Sequence, residues 1–182
     1  MWIYIIIAII VLIVIYALAL YNSFVKLNNK VKEAFSTMDV YLKKRWDLIP
    51  NIVEIVKGYA KHEKDTLKEV VELRNSTYDK MSDEEKIKTN EQLSSGINKI
   101  MALAEAYPDL KANENFLSLQ KELTTCEEKI TYARQFYNDS VLSYNNKIEL
   151  FPSSIIASMF HFEKEKFFEA SADERKNVQV KF

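Results

Sequence analysis

The chain has 182 residues, a formal charge of −1 and one cysteine. Balanced charge excludes a basic nucleic-acid surface, so no nucleic acid is expected as a partner, and a lone Cys126 excludes an intramolecular disulfide. Two Gly and three Pro are too few for the turns that strands consume, so the composition predicts long helices joined by short loops.

Met1 to Leu20 reads MWIYIIIAIIVLIVIYALAL, without charge, Gly or Pro. A helix of about 20 residues rises roughly 30 Å, the thickness of bilayer hydrocarbon, and satisfies its backbone polar groups internally. Trp2 and Tyr4 at one end, and Tyr16 and Tyr21 at the other, suit the two interfaces. The expectation is a transmembrane anchor over residues 1–21, with the lipid bilayer as its partner. Two readings compete. A cleaved secretory signal would use Ala17-Leu18-Ala19, but no Lys or Arg precedes the run and the run is too long. A buried soluble helix would need covering on all sides, at the expense of the remaining chain's own core. Past the run, Lys26, Lys30, Lys32, Lys43, Lys44 and Arg45 outnumber Glu33 and Asp39. The positive-inside rule then places the N-terminus outside and the rest of the chain in the cytoplasm.

Phe24, Leu27, Val31, Ala34, Met38, Leu42, Arg45 and Ile49 step by three and four, an apolar seam broken only by Arg45, with Trp46 beside it. No breaker lies between Leu20 and Trp46, so this helix is expected to grow straight out of the anchor. Asp47 to Ile49 reads as a tight connection and Pro50 as the first turn of a second helix. The alternative is one long helix kinked at Pro50. The second helix carries Val53, Val56, Ala60, Glu63, Leu67, Val70 and Arg74 and ends near Tyr78. Gly58 inside it costs about 1 kcal/mol against Ala and is read as the mark of a close helix contact.

Ser82-Asp83-Glu84-Glu85 forms a capping box for a third helix. That helix holds Leu93, Ile97, Ile100, Ala104 and Tyr107 until Pro108 ends it, and Asp109 to Ala112 connects onward. Asn113 is the expected N-cap of the fourth and longest helix. There Phe116, Leu119, Leu123, Cys126, Ile130, Ala133, Tyr137, Ser140 and Tyr144 alternate by three and four until Phe151-Pro152. Ser153 or Ser154 would cap a short turn through Phe160. Phe160, Phe162, Phe167 and Phe168 are expected to pack back onto the bundle, with Ser171 to Phe182 frayed. Amphipathic helices joined by short loops bury their stripes against one another. The fold class is therefore all-α: an N-terminal single transmembrane helix continuing into an antiparallel four-helix bundle. A coiled-coil homodimer through the fourth seam is the runner-up.

Site chemistry is sparse. A di-iron bundle needs Glu-x-x-His pairs, but Tyr59 stands three before His62 and Ser158 three before His161. A zincin motif fails because Thr66 stands four after His62. Cys126 sits on the seam as a core residue. No nucleophile elbow or phosphate loop is present, and two glycines could not build one. No metal, cofactor or catalytic residue is expected. The one ambiguous feature is polar. Arg134, Gln135, Asn138, Asn145 and Asn146 cluster late in the fourth helix, and Asn22, Asn28 and Asn29 open the first. In an up-down order both groups lie at the membrane pole. One reading is a satisfied polar network that fixes helix register. The other is a partner-binding or lipid-facing surface, with Arg134, Asn138, Asn145, Asn146, Asn22 and Asn29 as contact candidates.

Several long blocks, in order, carry a resemblance. They are Tyr21-Asn22-Ser23-Phe24-Val25, Lys44-Arg45-Trp46-Asp47-Leu48-Ile49-Pro50-Asn51-Ile52-Val53 and Val56-Lys57-Gly58-Tyr59-Ala60-Lys61-His62-Glu63. Ala104 to Phe116, Tyr132 to Asp139, Tyr144-Asn145 and Phe151-Pro152-Ser153 continue them. With these the chain resembles the LemA family over nearly its whole length. The resemblance implies a bacterial membrane protein with one N-terminal transmembrane helix, a four-helix bundle in the cytoplasm and no established biochemical activity. His161 stands where a Gly is usual, and Phe167 where Tyr is common. The expected organisation is an anchor over 1–21, a LemA-like bundle over 22–151 and a partly packed tail over 152–182. The expected function is non-enzymatic: a scaffold or adaptor at the inner face of the plasma membrane for an unidentified membrane or cytoplasmic protein. Alternatives are a homo-oligomer that organises the membrane, and an enzyme with an unrecognised carboxylate site. Against the former, Ala8, Ala17 and Ala19 do not make a small-xxx-small helix contact.

Overall fold

A computed structural model describes residues 1–60, 64–73 and 78–168. Among them all regular structure is helical: α1 (Trp2–Tyr59), α2 (Lys64–Leu73), a 3₁₀ turn (Tyr78–Lys80), α3 (Asp83–Glu105), α4 (Pro108–Lys111), α5 (Glu114–Glu149) and α6 (Ser153–Met159). His62, Glu63, Arg74 and Ser171 to Phe182 lie outside the described residues.

The expected break at Pro50 is absent. Pro50 lies inside α1, so the single-helix alternative holds. A proline here cannot supply the N–H that would bond the Trp46 carbonyl, at a cost of about 3 kcal/mol. Apolar burial on both sides outweighs it. Trp46, Ile49, Ile52, Val53 and Val56 are all buried, and each such side chain contributes roughly 1.5–3 kcal/mol. A break at Asp47 to Ile49 would have pulled that stripe apart.

The chain divides into two compact units. The first gathers Met1–Thr37 with Ala133–Phe168. Its core includes Phe24, Val31, Ala34, Val141 and Tyr144. Here α5 lies along α1: the Lys30 ammonium stands 5.6 Å above the Phe136 ring and Phe35 meets Tyr137 edge-on at 5.9 Å. The Ser153 hydroxyl does not cap α6. It donates to the Lys147 and Leu150 carbonyls at 2.7 and 2.8 Å, closing the end of α5 instead.

The described part of the second unit, Met38–Tyr132, holds an antiparallel four-helix bundle. Lys86 meets Asp39 and Asn90 meets Arg45, so α3 runs parallel to α1. Asn113 meets Tyr59 and Glu127 meets Arg45, so α5 runs antiparallel to it. The Tyr78 hydroxyl reaches Asp39 at 2.7 Å, so α2 lies on the return from the end of α1 to the level of Asp39. Leu42, Ile49, Val56, Val70, Leu93, Ile100 and Phe116 fill the core. The capping box opens α3 as its residues require: Ser82 accepts from the Glu85 N–H and Glu85 accepts from the Ser82 N–H. The glycine contact falls elsewhere than expected. Nothing lies within 4 Å of a Cβ built on Gly58, whereas one on Gly96 would meet Val70 Cγ2 at 2.7 Å. Gly96 is the residue that lets α2 and α3 approach.

Candidate functional site

Two polar constructions stand out, one in each unit. In the bundle, α1 carries Arg45 into the core with 2% exposure. Its guanidinium Nε donates to Asn90 Oδ1 at 3.1 Å and Nη1 to Ser94 Oγ at 2.9 Å. Nη2 donates to Asn90 Oδ1 and to the Asn90 carbonyl, and Nη1 also pairs with the Glu127 carboxylate. Asn90 is buried in turn and donates to the Lys86 carbonyl at 3.1 Å. A planar fork with several fixed donors suits this role, joining residues of α1, α3 and α5 at one height. Nearby, Asp39 accepts from Tyr78 at 2.7 Å and from Lys86 at 3.0 Å. The Tyr78 ring lies under Lys86 and beside Trp46. Burial, with Asp39 beside it, holds the Tyr78 hydroxyl well above its ordinary range, so it stays a donor. Burial likewise raises the Cys126 thiol, which removes the thiolate a reactive cysteine needs.

In the first unit the sequence candidates meet the chain's own tail. Asn145 Nδ2 donates to the Glu165 carbonyl at 2.8 Å, and the Glu165 N–H donates to Asn145 Oδ1 at 3.0 Å. Asn138 repeats the pattern with Phe168, at 2.9 and 2.8 Å. Each side-chain amide thus pairs with one residue's backbone, as a neighbouring strand would. The spacing matches: seven helical residues rise about 10.5 Å, and three extended steps cover about 10 Å. Tyr137 donates to the Lys166 carbonyl between them at 3.0 Å. The Arg134 guanidinium covers the Phe168 ring at 4.0 Å. Asn146, Asn22 and Asn29 are exposed. Arg134, Asn138 and Asn145 are therefore brought together along one tail segment, and the other three are not part of that construction.

Among the described residues no group of three or more His, Cys, Asp or Glu stands where it could hold a metal ion. What sequence reasoning missed is the Arg45 centre. Its signal was present: a charged residue on an otherwise apolar seam needs a buried partner.

The sequence profile described as the LemA family matches residues 34–182. Protein LemA of Metamycoplasma hominis is 27% identical over 164 residues, covering 87% of this chain and 73% of its own length. Magnetosome protein MamQ of Magnetospirillum gryphiswaldense is 21% identical over 174 residues, covering 81% of this chain. Magnetosome protein MamQ 2 of Paramagnetospirillum magneticum is 21% identical over 175 residues, covering 82%. The match spans 64% of each magnetosome relative.

Proposed function

The chain belongs to the LemA family, and from that premise we propose that it is a membrane-anchored, non-enzymatic helical bundle that presents an interaction surface at the inner face of a bacterial plasma membrane. One observation carries the reading. The single helix α1 contains both an apolar stretch of mean hydropathy 3.3 and the Arg45 and Ile49 positions of the bundle core. The first supports an anchor and the second supports a body built directly on it. Lys26, Lys30 and Lys32, just past the stretch, support a cytoplasmic bundle. Arg45 is engaged with Asn90, Ser94 and Glu127, Asn138 and Asn145 are engaged with tail backbone, and Cys126 is buried. That arrangement favours a structural body over a reaction centre.

The test is photo-crosslinking in native membranes from probes at the exposed Asn22, Asn29 and Asn146, with Lys111 as the comparison position. Expected is a discrete heterologous adduct from the Asn positions and none from Lys111. Adducts of the chain with itself alone would replace the adaptor by a homo-oligomer. No adduct from any position would remove the adaptor reading.

A further inference from the structure

The short helix α6 is apolar on two faces. Ser153, Ile156 and Ala157 are buried against the first unit. Ile155 and Met159, four residues apart, share another face and are 54% and 63% exposed, and Phe151, in the turn just before the helix, is 82% exposed. Leu150 beside them is 62% exposed. Four large apolar side chains in ten residues form a patch that a soluble surface does not carry without a use.

Its position says what covers it. Phe160, which ends α6, meets the Tyr21 ring at 4.9 Å. Phe162 follows, at 5.8 Å from Tyr21 and stacked on Phe24 at 4.8 Å. Tyr21 is the first residue after the charge-free run of Met1 to Leu20. An aromatic ring at that point of a membrane-crossing helix sits at the headgroup level. The aromatic contacts therefore hold the end of α6 at the depth where lipid begins.

We infer that α6, with the Leu150-Phe151 turn before it, is a second membrane contact: Phe151, Ile155 and Met159 lie in the interface of the same bilayer that α1 crosses. This rests on the anchor reading of α1. An interfacial helix buries its apolar face about 5–10 Å into the headgroup and acyl boundary. Charges around the patch are mixed, with Lys164 paired to Glu149, so the contact is made by apolar burial and does not need an anionic lipid. Two contacts fix more than one does. A lone helix can rotate about its axis, whereas a helix with a lateral foot holds one side of the unit to the lipid.

The experiment uses the full chain in vesicles of neutral phosphatidylcholine. Single cysteines at Ile155, Met159, Glu163 and Ile10 carry an environment-sensitive fluorophore, and lipids carry quenchers at either shallow or deep acyl positions. Expected are blue-shifted emission and strong loss to shallow quenchers at Ile155 and Met159, water-like emission at Glu163, and loss to deep quenchers at Ile10. Quenching at Ile10 with water-like emission at Ile155 and Met159 would overturn the inference and leave the anchor standing. A blue shift at Ile155 and Met159 without lipid quenching would overturn it in favour of a second copy covering the patch. No quenching at Ile10 would overturn the anchor reading and the inference with it. All four positions are exposed in the structure, so labelling does not disturb a packed core.

Discussion

Replacing Arg45 with methionine removes a fork that serves four acceptor groups. Asn90 Oδ1 loses its guanidinium donors inside the bundle, where Asn90 is 1% exposed, while the Asn90 carbonyl keeps the Ser94 hydroxyl at 3.2 Å. Ser94 and Glu127 lose theirs nearer the surface; the Glu127 side chain is 43% exposed. Breaking a buried ion pair costs about 3–5 kcal/mol when the other charge is stranded. Here the Glu127 carboxylate can return to water, which places Arg45→Met near the low end, about 3 kcal/mol. Glu127→Gln keeps an acceptor but takes the carboxylate from a guanidinium that is itself buried; with the carboxylate end 43% exposed, the loss should fall between that of a surface and a buried pair, about 1–2 kcal/mol. Arg45→Lys keeps the charge and loses the fork, at about 2 kcal/mol. The pair Arg45→Met with Asn90→Leu replaces both buried partners and should recover part of the loss. Urea unfolding of the full chain in micelles, followed by helical circular dichroism, measures all four. If Arg45→Met stays within about 1 kcal/mol of the parent, or Glu127→Gln costs as much as Arg45→Met, the centre does not hold the helices as argued.

Three further outcomes follow from the geometry. Gly58→Ala should stabilise by up to about 1 kcal/mol because its Cβ meets nothing, whereas Gly96→Ala should destabilise by about 1–2 kcal/mol against Val70; a Val70→Ala partner relieving only the latter, by urea midpoint, checks the contact. Asn138→Ala or Asn145→Ala should each free about 2 kcal/mol of local restraint, two hydrogen bonds apiece, and hydrogen exchange at the Phe168 or Glu165 amide should rise while Glu165→Ala leaves it unchanged. Glu85 has its folded pKa lowered, chiefly by the Ser82 backbone N–H and then the Ser82 hydroxyl. The unfolded chain therefore takes up this proton first, so the contribution is complete above the ordinary value of 4.5 and lost as pH falls through the lower folded value. Unfolding midpoints between neutral and acid pH should show that loss flattened in Glu85→Gln.

Much of the fold could be read from spacing. Met38, Leu42, Val53, Val56, Leu93, Ile97, Leu123, Cys126 and Tyr144 were placed on seams by their three-four steps, and each is buried. A period of 3.6 residues is a local property, so sequence order suffices to reveal it. Pro50 shows where local rules lose. Its missing N–H argues for a helix start, but the apolar stripe on both sides argues for continuity, and packing decided. Gly58 and Gly96 differ only in what faces them, which is set by a different helix. The partners of Arg45 lie 45, 49 and 82 residues away, so no local pattern names them. The asparagines were legible as a cluster. That Asn138 and Asn145 grip backbone was not, because a backbone amide has no residue type to announce it. Phe160 was legible as an aromatic in the tail, and its seat on Tyr21 only from the structure.

The central reading is that α1 crosses a membrane and carries a bundle on its cytoplasmic side. Single cysteines at Ile10, Asn29 and Lys111, probed in cells with a membrane-impermeant maleimide, test it most directly; the buried Cys126 contributes little background. Expected is no labelling of any position in intact cells. After permeabilisation Asn29 and Lys111 should label and Ile10 should not. Labelling at Lys111 in intact cells would put the bundle on the wrong side, and labelling at Ile10 after permeabilisation would show that the opening stretch does not lie in lipid.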